Sequence, residues 1–248
     1  MNQDESGRLR VERILHDRRP RRSDRIEIFD GRHTAQNISA YGFLLGLVCG
    51  GGLLYSFYGQ IPQLGVFLVA LPTFHFLEYV ATALFNAEKL SLDSYLINHG
   101  RQYHAAHTAA LVEFIIEYYF FPNWKQFGYL NYFGLFLLII GQGCRTVAMF
   151  SAKHNFSHHI VDQKENDHVL VTHGIYKIMR HPSYFGFFWW ALGAQLLLGN
   201  PICFIGFIFV LQRFFSERIT YEEYTLERFF GQEWRDYKSK TPTLMPFV

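Results

Sequence analysis

An all-α, polytopic integral membrane protein is the fold class that the sequence predicts, on three observations. Half of the 248 residues are hydrophobic and 18% are aromatic, while only 18% are charged. The charges cluster, so they leave between them uncharged stretches of a length suited to crossing a bilayer. Imidazole and charged groups then concentrate late in the chain, at 151–183 and 213–240. Together these predict about six transmembrane helices carrying a polar pocket on the cytosolic side.

Residues 1–36 form the first unit, a polar, arginine-rich cytosolic tail. Its basic groups are nearly cancelled by interspersed acids, which argues against nucleic acid as a partner, and it has no apolar core of the kind a secretory signal peptide needs. Residues 37–150 form the second unit, with four spans. Ile38 to Tyr58 carries no charge; Ile61 to Phe85 holds His75 and Glu78; His104 to Phe121 places Glu113 and Glu117 four residues apart on one helical face; Phe127 to Phe150 is interrupted by Arg145. The third unit, 151–248, contains a membrane hairpin at 184–215, with arms Tyr184 to Leu198 and Ile202 to Phe215 around an Asn200-Pro201 turn. Each arm reaches only about 20 Å against a hydrocarbon core of about 30 Å, so the pair must tilt or thin the bilayer, and one kinked helix is the competing arrangement.

Basic residues sit in the tail, the 86–103 loop, the 151–183 segment and the C-terminal stretch, whereas the opposite loops carry almost none. The positive-inside rule therefore places both termini in the cytosol. The sequons at Asn37 and Asn155 fall on or near that side and are not expected to carry glycans. Cys49, Cys144 and Cys203 lie in apolar segments and are expected to be reduced packing residues, and the C-terminal "TPTLMPFV" offers no cysteine for prenylation.

The histidines raise a metal question. "HNFSHH" (His154 to His159) matches a His-x-x-x-His-His box, and "HGRQYHAAH" adds His99, His104 and His107. No third box with a close histidine pair follows, since His168, His173 and His181 stand singly, and no cysteine pair joins them for zinc. No metal is expected, and interfacial hydrogen bonding is the alternative role for these rings.

Arg180 and His181 precede Pro182 at the entry to the hairpin, and the chain returns to the same side through "QRFFSERITYEEYTLERFF", with Arg213, Arg218, Glu222 and Glu223. The hairpin thus brings Arg180 and His181 near Arg218 and the glutamate pair. Arg218 and Glu222, four apart, also read as a surface salt bridge of little value.

The run from "LVTHGIYKIMRHPSYFGFFWW" through the Asn-Pro turn to the paired glutamates, with "EYVATALFNAEKLSLDSYLINH" and "FSHH" upstream, resembles the isoprenylcysteine carboxyl methyltransferases over nearly everything from the first span to Pro246. Animal members usually carry a further N-terminal helical hairpin without counterpart here, so the likeness is to a shorter, six-span form. The resemblance implies S-adenosylmethionine as cofactor and, as substrate, the C-terminal carboxylate of a farnesylated or geranylgeranylated cysteine. Partners would be prenylated CaaX proteins such as small GTPases, together with membrane lipid, in the endoplasmic reticulum membrane. Carried over by position, His168, Val169, Leu170 and Val171, Tyr176, and His181, Pro182, Ser183 and Tyr184 would bind the cofactor, with Glu222 closing on it. Arg218 would meet the substrate carboxylate, and Arg180 would join it as a catalytic candidate bracing the pocket. Another membrane lipid methyltransferase would keep the same cofactor pocket. An NADPH-dependent sterol reductase would read RHxNY where this chain reads "RHPSY".

Overall fold

The computed structural model describes residues 28–97 and 100–246. Residues 1–27 of the arginine-rich tail, His99 and the last two residues lie outside the described residues. All regular structure described is helical, in seven α-helices: α1 Ala35–Tyr58, α2 Pro62–Phe85, α3 Arg101–Phe120, α4 Tyr129–Ala152, α5 Pro182–Leu198, α6 Pro201–Phe230 and α7 Gln232–Lys240.

Helix boundaries follow local chemistry. Thr34 caps α1 by accepting from the Asn37 backbone N–H, and α2, α5 and α6 each open on a proline, whose missing N–H is one that the first turn could not have used. Gly199, in the left-handed region at φ 68°, ends α5, and α6 starts two residues later, so the hairpin is two helices and not one kinked rod. Asn37, the first sequon asparagine, is buried, and its amide donates to Asp30 and to the Arg32 carbonyl.

α1, α2 and Tyr129–Asn155 are long and apolar enough to cross a membrane, with mean hydropathy 1.6 in each. The other segments expected to span, α3, α5 and the first half of α6, are also helices. α5 has only 17 residues, and α3 and α6 carry charge. α6 runs past the apolar arm expected to end at Phe215 and continues to Phe230, through the helical face on which Arg218 and Glu222 were read. Its buried face continues through Phe215, Ile219 and Glu223 at helical spacing, so the membrane arm and the later polar segment form one rod.

α5 is the buried centre, and it packs antiparallel on α4 through two glycine pairs. A Cβ on Gly141 would lie 2.5 Å from the Gly186 carbonyl oxygen, and one on Gly134 would lie 2.8 Å from that of Gly193. The two backbones therefore touch, which in an apolar solvent supplies the dispersion contact that hydrophobicity cannot. Phe74, Leu138, Phe188, Trp190, Leu197 and Phe215 fill the space around them, whereas Phe43, Leu47, Leu54, Phe133 and Ile139 on α1 and α4 face outward, as lipid-facing residues do.

The hairpin turn is fixed by charge. Lys125, the one charged residue of the 122–126 loop, is buried; it donates to the Leu198 and Gly199 carbonyls at the C-terminus of α5 and lies 2.5 Å from Glu117. Glu113 accepts the Ile202 and Cys203 N–H groups at the N-terminus of α6, both at 2.7 Å. A cation at one helix end and an anion at the other both complement the helix dipoles.

Substituting Gly141→Ala or Gly186→Ala should force α4 and α5 apart, at a cost of about 1–3 kcal/mol for overpacking. Gly143→Ala, on α4 with open space around it, should be neutral. Thermal unfolding in detergent measures both; equal stability of all three variants would contradict the backbone contact.

Candidate active site

At the end of the bundle away from the hairpin turn, one carboxylate ties three elements together. Glu223 on α6 accepts from Arg180 Nε at 2.9 Å and His181 Nε2 at 3.1 Å, and lies 2.7 Å from Lys238 Nζ on α7. Burial by itself would raise this carboxyl. Hydrogen bonds from His181 and Lys238, with the electrostatic pull of His181 and Arg180, outweigh that and hold it at about 2. Arg180 also donates through Nη1 to the Thr241 and Lys238 carbonyls, and its backbone N–H donates to Pro242 O at 2.9 Å. The chain thus enters α5 in a fixed direction. Tyr237 adds a bond from its hydroxyl to the Tyr176 carbonyl at 2.6 Å.

These ties enclose a cavity of about 110 Å³. Residues 168–171, Tyr176, residues 180–184 and Glu222 all line it, so every candidate named from the sequence except Arg218 meets at one place. Ala152, Asn155, Phe156 and Ser157 from the end of α4 and the loop after it, with Leu226, Trp234 and Tyr237, complete the wall without having been anticipated. Three buried polar atoms in this wall, Glu222 Oε2, His168 Nδ1 and Trp234 Nε1, have no hydrogen-bond partner among the described residues. Buried polar atoms are ordinarily satisfied, and three orphans around one cavity mark a ligand site. Burial also pushes the His168 imidazole below its usual value, favouring the neutral ring. Glu222 Oε2 stands 3.6 Å from His181 Nδ1, so the two neighbouring glutamates divide the labour: Glu223 holds the frame and Glu222 faces the cavity.

Arg218 lies one turn before Glu222 on α6. The surface salt bridge between them does not form. Arg218 Nε donates instead to the Tyr184 hydroxyl at 2.8 Å, and Nη2 donates to the His158 carbonyl at 2.6 Å. Among the described residues no carboxylate lies within 4 Å of this half-buried guanidinium. A second cavity, of about 50 Å³, adjoins the first across Tyr184 and Glu222.

Behind the wall is a network to which sequence reasoning assigned no role. Glu78, on α2 and fully buried, accepts from Arg145 of α4 through Nε at 2.5 Å and Nη2 at 2.8 Å, with its Oε2 also 2.8 Å from His158 Nε2. Arg145 Nη1 donates to Ser183 Oγ at 2.9 Å. The available signal was two lone opposite charges in separate apolar spans, which call for pairing. His158, from the metal-like box, is committed to Glu78, while His154 Nε2 lies 3.4 Å from the Asp167 carbonyl oxygen. Among the described residues no group of three or more His, Cys, Asp or Glu is placed to hold a metal ion.

The arrangement is a carboxylate-edged, partly aromatic cavity with, beside it across Tyr184, an arginine that has no acidic partner among the described residues. The family model for the isoprenylcysteine carboxyl methyltransferase family matches residues 134–228. The protein-S-isoprenylcysteine O-methyltransferase of Saccharomyces cerevisiae is 43% identical over 228 residues, covering 88% of this chain and 93% of that one. The Homo sapiens protein of the same name is 42% identical over 205 residues, covering 82% and 72%. A solved structure of the eukaryotic intramembrane Ras methyltransferase superposes with a TM-score of 0.83 at 40% identity, covering 85% of this chain and 76% of that one.

Because Glu223 titrates at about 2 in the fold against a usual 4.5, its contribution to stability is complete above about pH 4.5 and is lost as pH falls toward 2. Glu223→Gln should flatten the acid limb of a stability-versus-pH curve in that window. An unchanged acid limb would show that Glu223 does not tie α5, α6 and α7.

Proposed function

The chain belongs to the isoprenylcysteine carboxyl methyltransferase family, and on that premise we propose S-adenosylmethionine as its methyl donor and the 110 Å³ cavity as the donor's site. The chain is a methyltransferase of the prenylcysteine carboxyl in CaaX processing. Residues 151–248 would carry the chemistry, on a frame that includes Glu78 and Arg145 from the preceding helices.

The cavity wall fits such a donor. Glu222 supplies an anion suited to a sulfonium, and its orphan oxygen accepts from hydroxyl or amino groups. Trp234 Nε1 is a donor without an acceptor, and His168 Nδ1 a ring nitrogen without a partner. Residues 168–171, Tyr176 and 181–184 would make the remaining contacts. When bound, S-adenosylmethionine supplies a methyl carbon activated by the positive sulfur.

The acceptor needs no activation by a base. An α-carboxyl group has a pKa of about 3.5 and is already an anionic nucleophile at neutral pH. The protein's task is orientation, which can contribute on the order of 7 to 11 kcal/mol. Arg218 is built for it: Tyr184 and His158 fix one edge of its fork, and Nη1 bonds nothing among the described residues, so the guanidinium is held in place with a donor to spare. That restrained arginine, with no carboxylate beside it, is the observation that carries the assignment. Arg180 acts differently. Its donors go to Glu223 and the C-terminal carbonyls, which supports a bracing role at the cavity it lines. Charge is lost as an anion meets a cation, so a pocket poor in water favours transfer, and Pro182, Tyr184 and Trp234 give its wall apolar surface.

A prenyl chain gains about 0.8 kcal/mol per methylene on leaving water, so the acceptor already resides in lipid. We place the enzyme in the endoplasmic reticulum membrane with both termini cytosolic, acting on farnesylated or geranylgeranylated proteins such as small GTPases.

Transfer of a labelled methyl group from S-adenosylmethionine to a small farnesylcysteine acceptor, with unprenylated cysteine as control, tests the assignment. Base-labile label should appear on the prenylated acceptor alone. Arg218→Ala and Glu222→Ala should each lower kcat/KM by at least about a hundredfold while the protein stays folded and inserted. Wild-type turnover in either variant would sink the site assignment.

A further inference from the structure

Arg218 is oriented by a part of the chain that the reaction itself does not touch. Its Nη2 donates at 2.6 Å to the carbonyl of His158, in the loop that follows α4. That loop has irregular backbone, and a carbonyl there keeps its direction only if something anchors the residue that carries it. The anchor is the side chain of the same residue. His158 Nε2 lies 2.8 Å from Glu78 Oε2, and Glu78 is immobilised by the two-pronged contact from Arg145. The Phe156 ring also stands edge-on to the His158 ring, with centroids 5.3 Å apart. On the same edge of the fork, Tyr184 accepts from Nε at 2.8 Å, and Cζ stands over the Tyr184 ring, 5.3 Å from its centroid.

We infer that His158 is a positioning residue for the acceptor: its ring, pinned on Glu78, fixes the carbonyl that aims the Arg218 guanidinium at the prenylcysteine carboxylate. The inference rests on the assignment of Arg218 to that carboxylate. It gives the buried Glu78–Arg145 pair a consequence at the acceptor side of the site, reached through a loop carbonyl and separate from the path through Ser183 to the cavity wall. The loop lines both cavities, the larger through Asn155, Phe156 and Ser157 and the smaller through Asn155, Ser157, His159 and Ile160, so the acceptor role of His158 is read from acceptor and cofactor binding measured separately.

The test uses the full chain in membranes, with farnesylcysteine as acceptor and binding of S-adenosylmethionine measured separately. His158→Ala should raise the acceptor KM on the order of tenfold, the size of coupling expected for a directly contacting pair, and leave cofactor binding within about twofold. His158→Gln, which can still reach toward Glu78, should recover most of the loss. Should the alanine variant fail to fold, His158→Asn, too short to make the contact, takes its place with the same expectation. In an Arg218→Lys background, His158→Ala should add less than about twofold, because both changes act through one guanidinium. Equal damage to cofactor and acceptor binding, full additivity with Arg218→Lys, or an unchanged acceptor KM would each overturn the inference. If Arg218→Lys by itself leaves the acceptor KM unchanged, the assignment of Arg218 fails first and the role of His158 falls with it.

Discussion

Glu78 lies in an apolar helix with no exposed surface, and its neutralisation organises one end of the molecule. A buried carboxylate is tolerated only when opposite charge and hydrogen bonds surround it, and removing a partner from such a pair costs about 3–5 kcal/mol. Arg145 supplies the charge from α4, and the same guanidinium reaches Ser183 in the first turn of α5, while His158 closes the remaining side from the loop. Four separate stretches of chain therefore meet because one acid must be satisfied. Phe74 and Phe187 lie within 5.5 Å of the Arg145 guanidinium carbon, which gives the cation aromatic faces where it has no water.

The opposite end obeys the same rule with different residues. Lys125 and Glu117 form a second buried pair, and with Glu113 they hold the hairpin turn by its exposed carbonyls and N–H groups. Asn131 and Asn200 add bonds to the Leu197 and Ala110 carbonyls. α5 is thus pinned at both ends and touches α4 by backbone along its length, leaving little freedom for residues 181–184. That rigidity suits a reaction whose only demand is alignment. An anionic nucleophile needs no proton removed, so the polar groups at the site can be devoted to holding two partners in line.

The glutamate pair shows how adjacent, chemically identical residues acquire different tasks. Successive residues on a helix point about 100° apart, so Glu223 faces the junction of α5 and α7 while Glu222 faces the cavity. The sequence shows two acids side by side, and the packing of α7 against α6 decides which one is consumed by Arg180, His181 and Lys238. Arg218 illustrates the converse. Spacing on the helix offered it Glu222, four residues on, but the Tyr184 hydroxyl and the His158 carbonyl were nearer in the fold, and the arginine stayed without an acidic partner.

The sequence by itself determined the helical membrane architecture and the hairpin that returns the glutamate pair to Arg180 and His181, because apolar length and proline and asparagine turns are written along the chain, whereas residues 168–171 and Tyr176 joined that group only through the family resemblance. The tertiary structure alone decided what the lone charges in the apolar helices do. Glu78 and Arg145 were visible as exceptions, and Glu113, Glu117 and Lys125 as scattered polar residues, yet their partners lie on other elements, tens of residues away for Glu78 with Arg145, Glu113 with Ile202 and Lys125 with Leu198. The run past Phe215 was legible as helix from the spacing of Arg218 and Glu222, but that it buries Ile219, Glu223 and Thr225 depends on neighbours that only folding supplies. Periodicity along a helix is a local property, whereas the choice of an ion-pair partner depends on which backbones can come close, and here the paired glycines of α4 and α5 settle that distance.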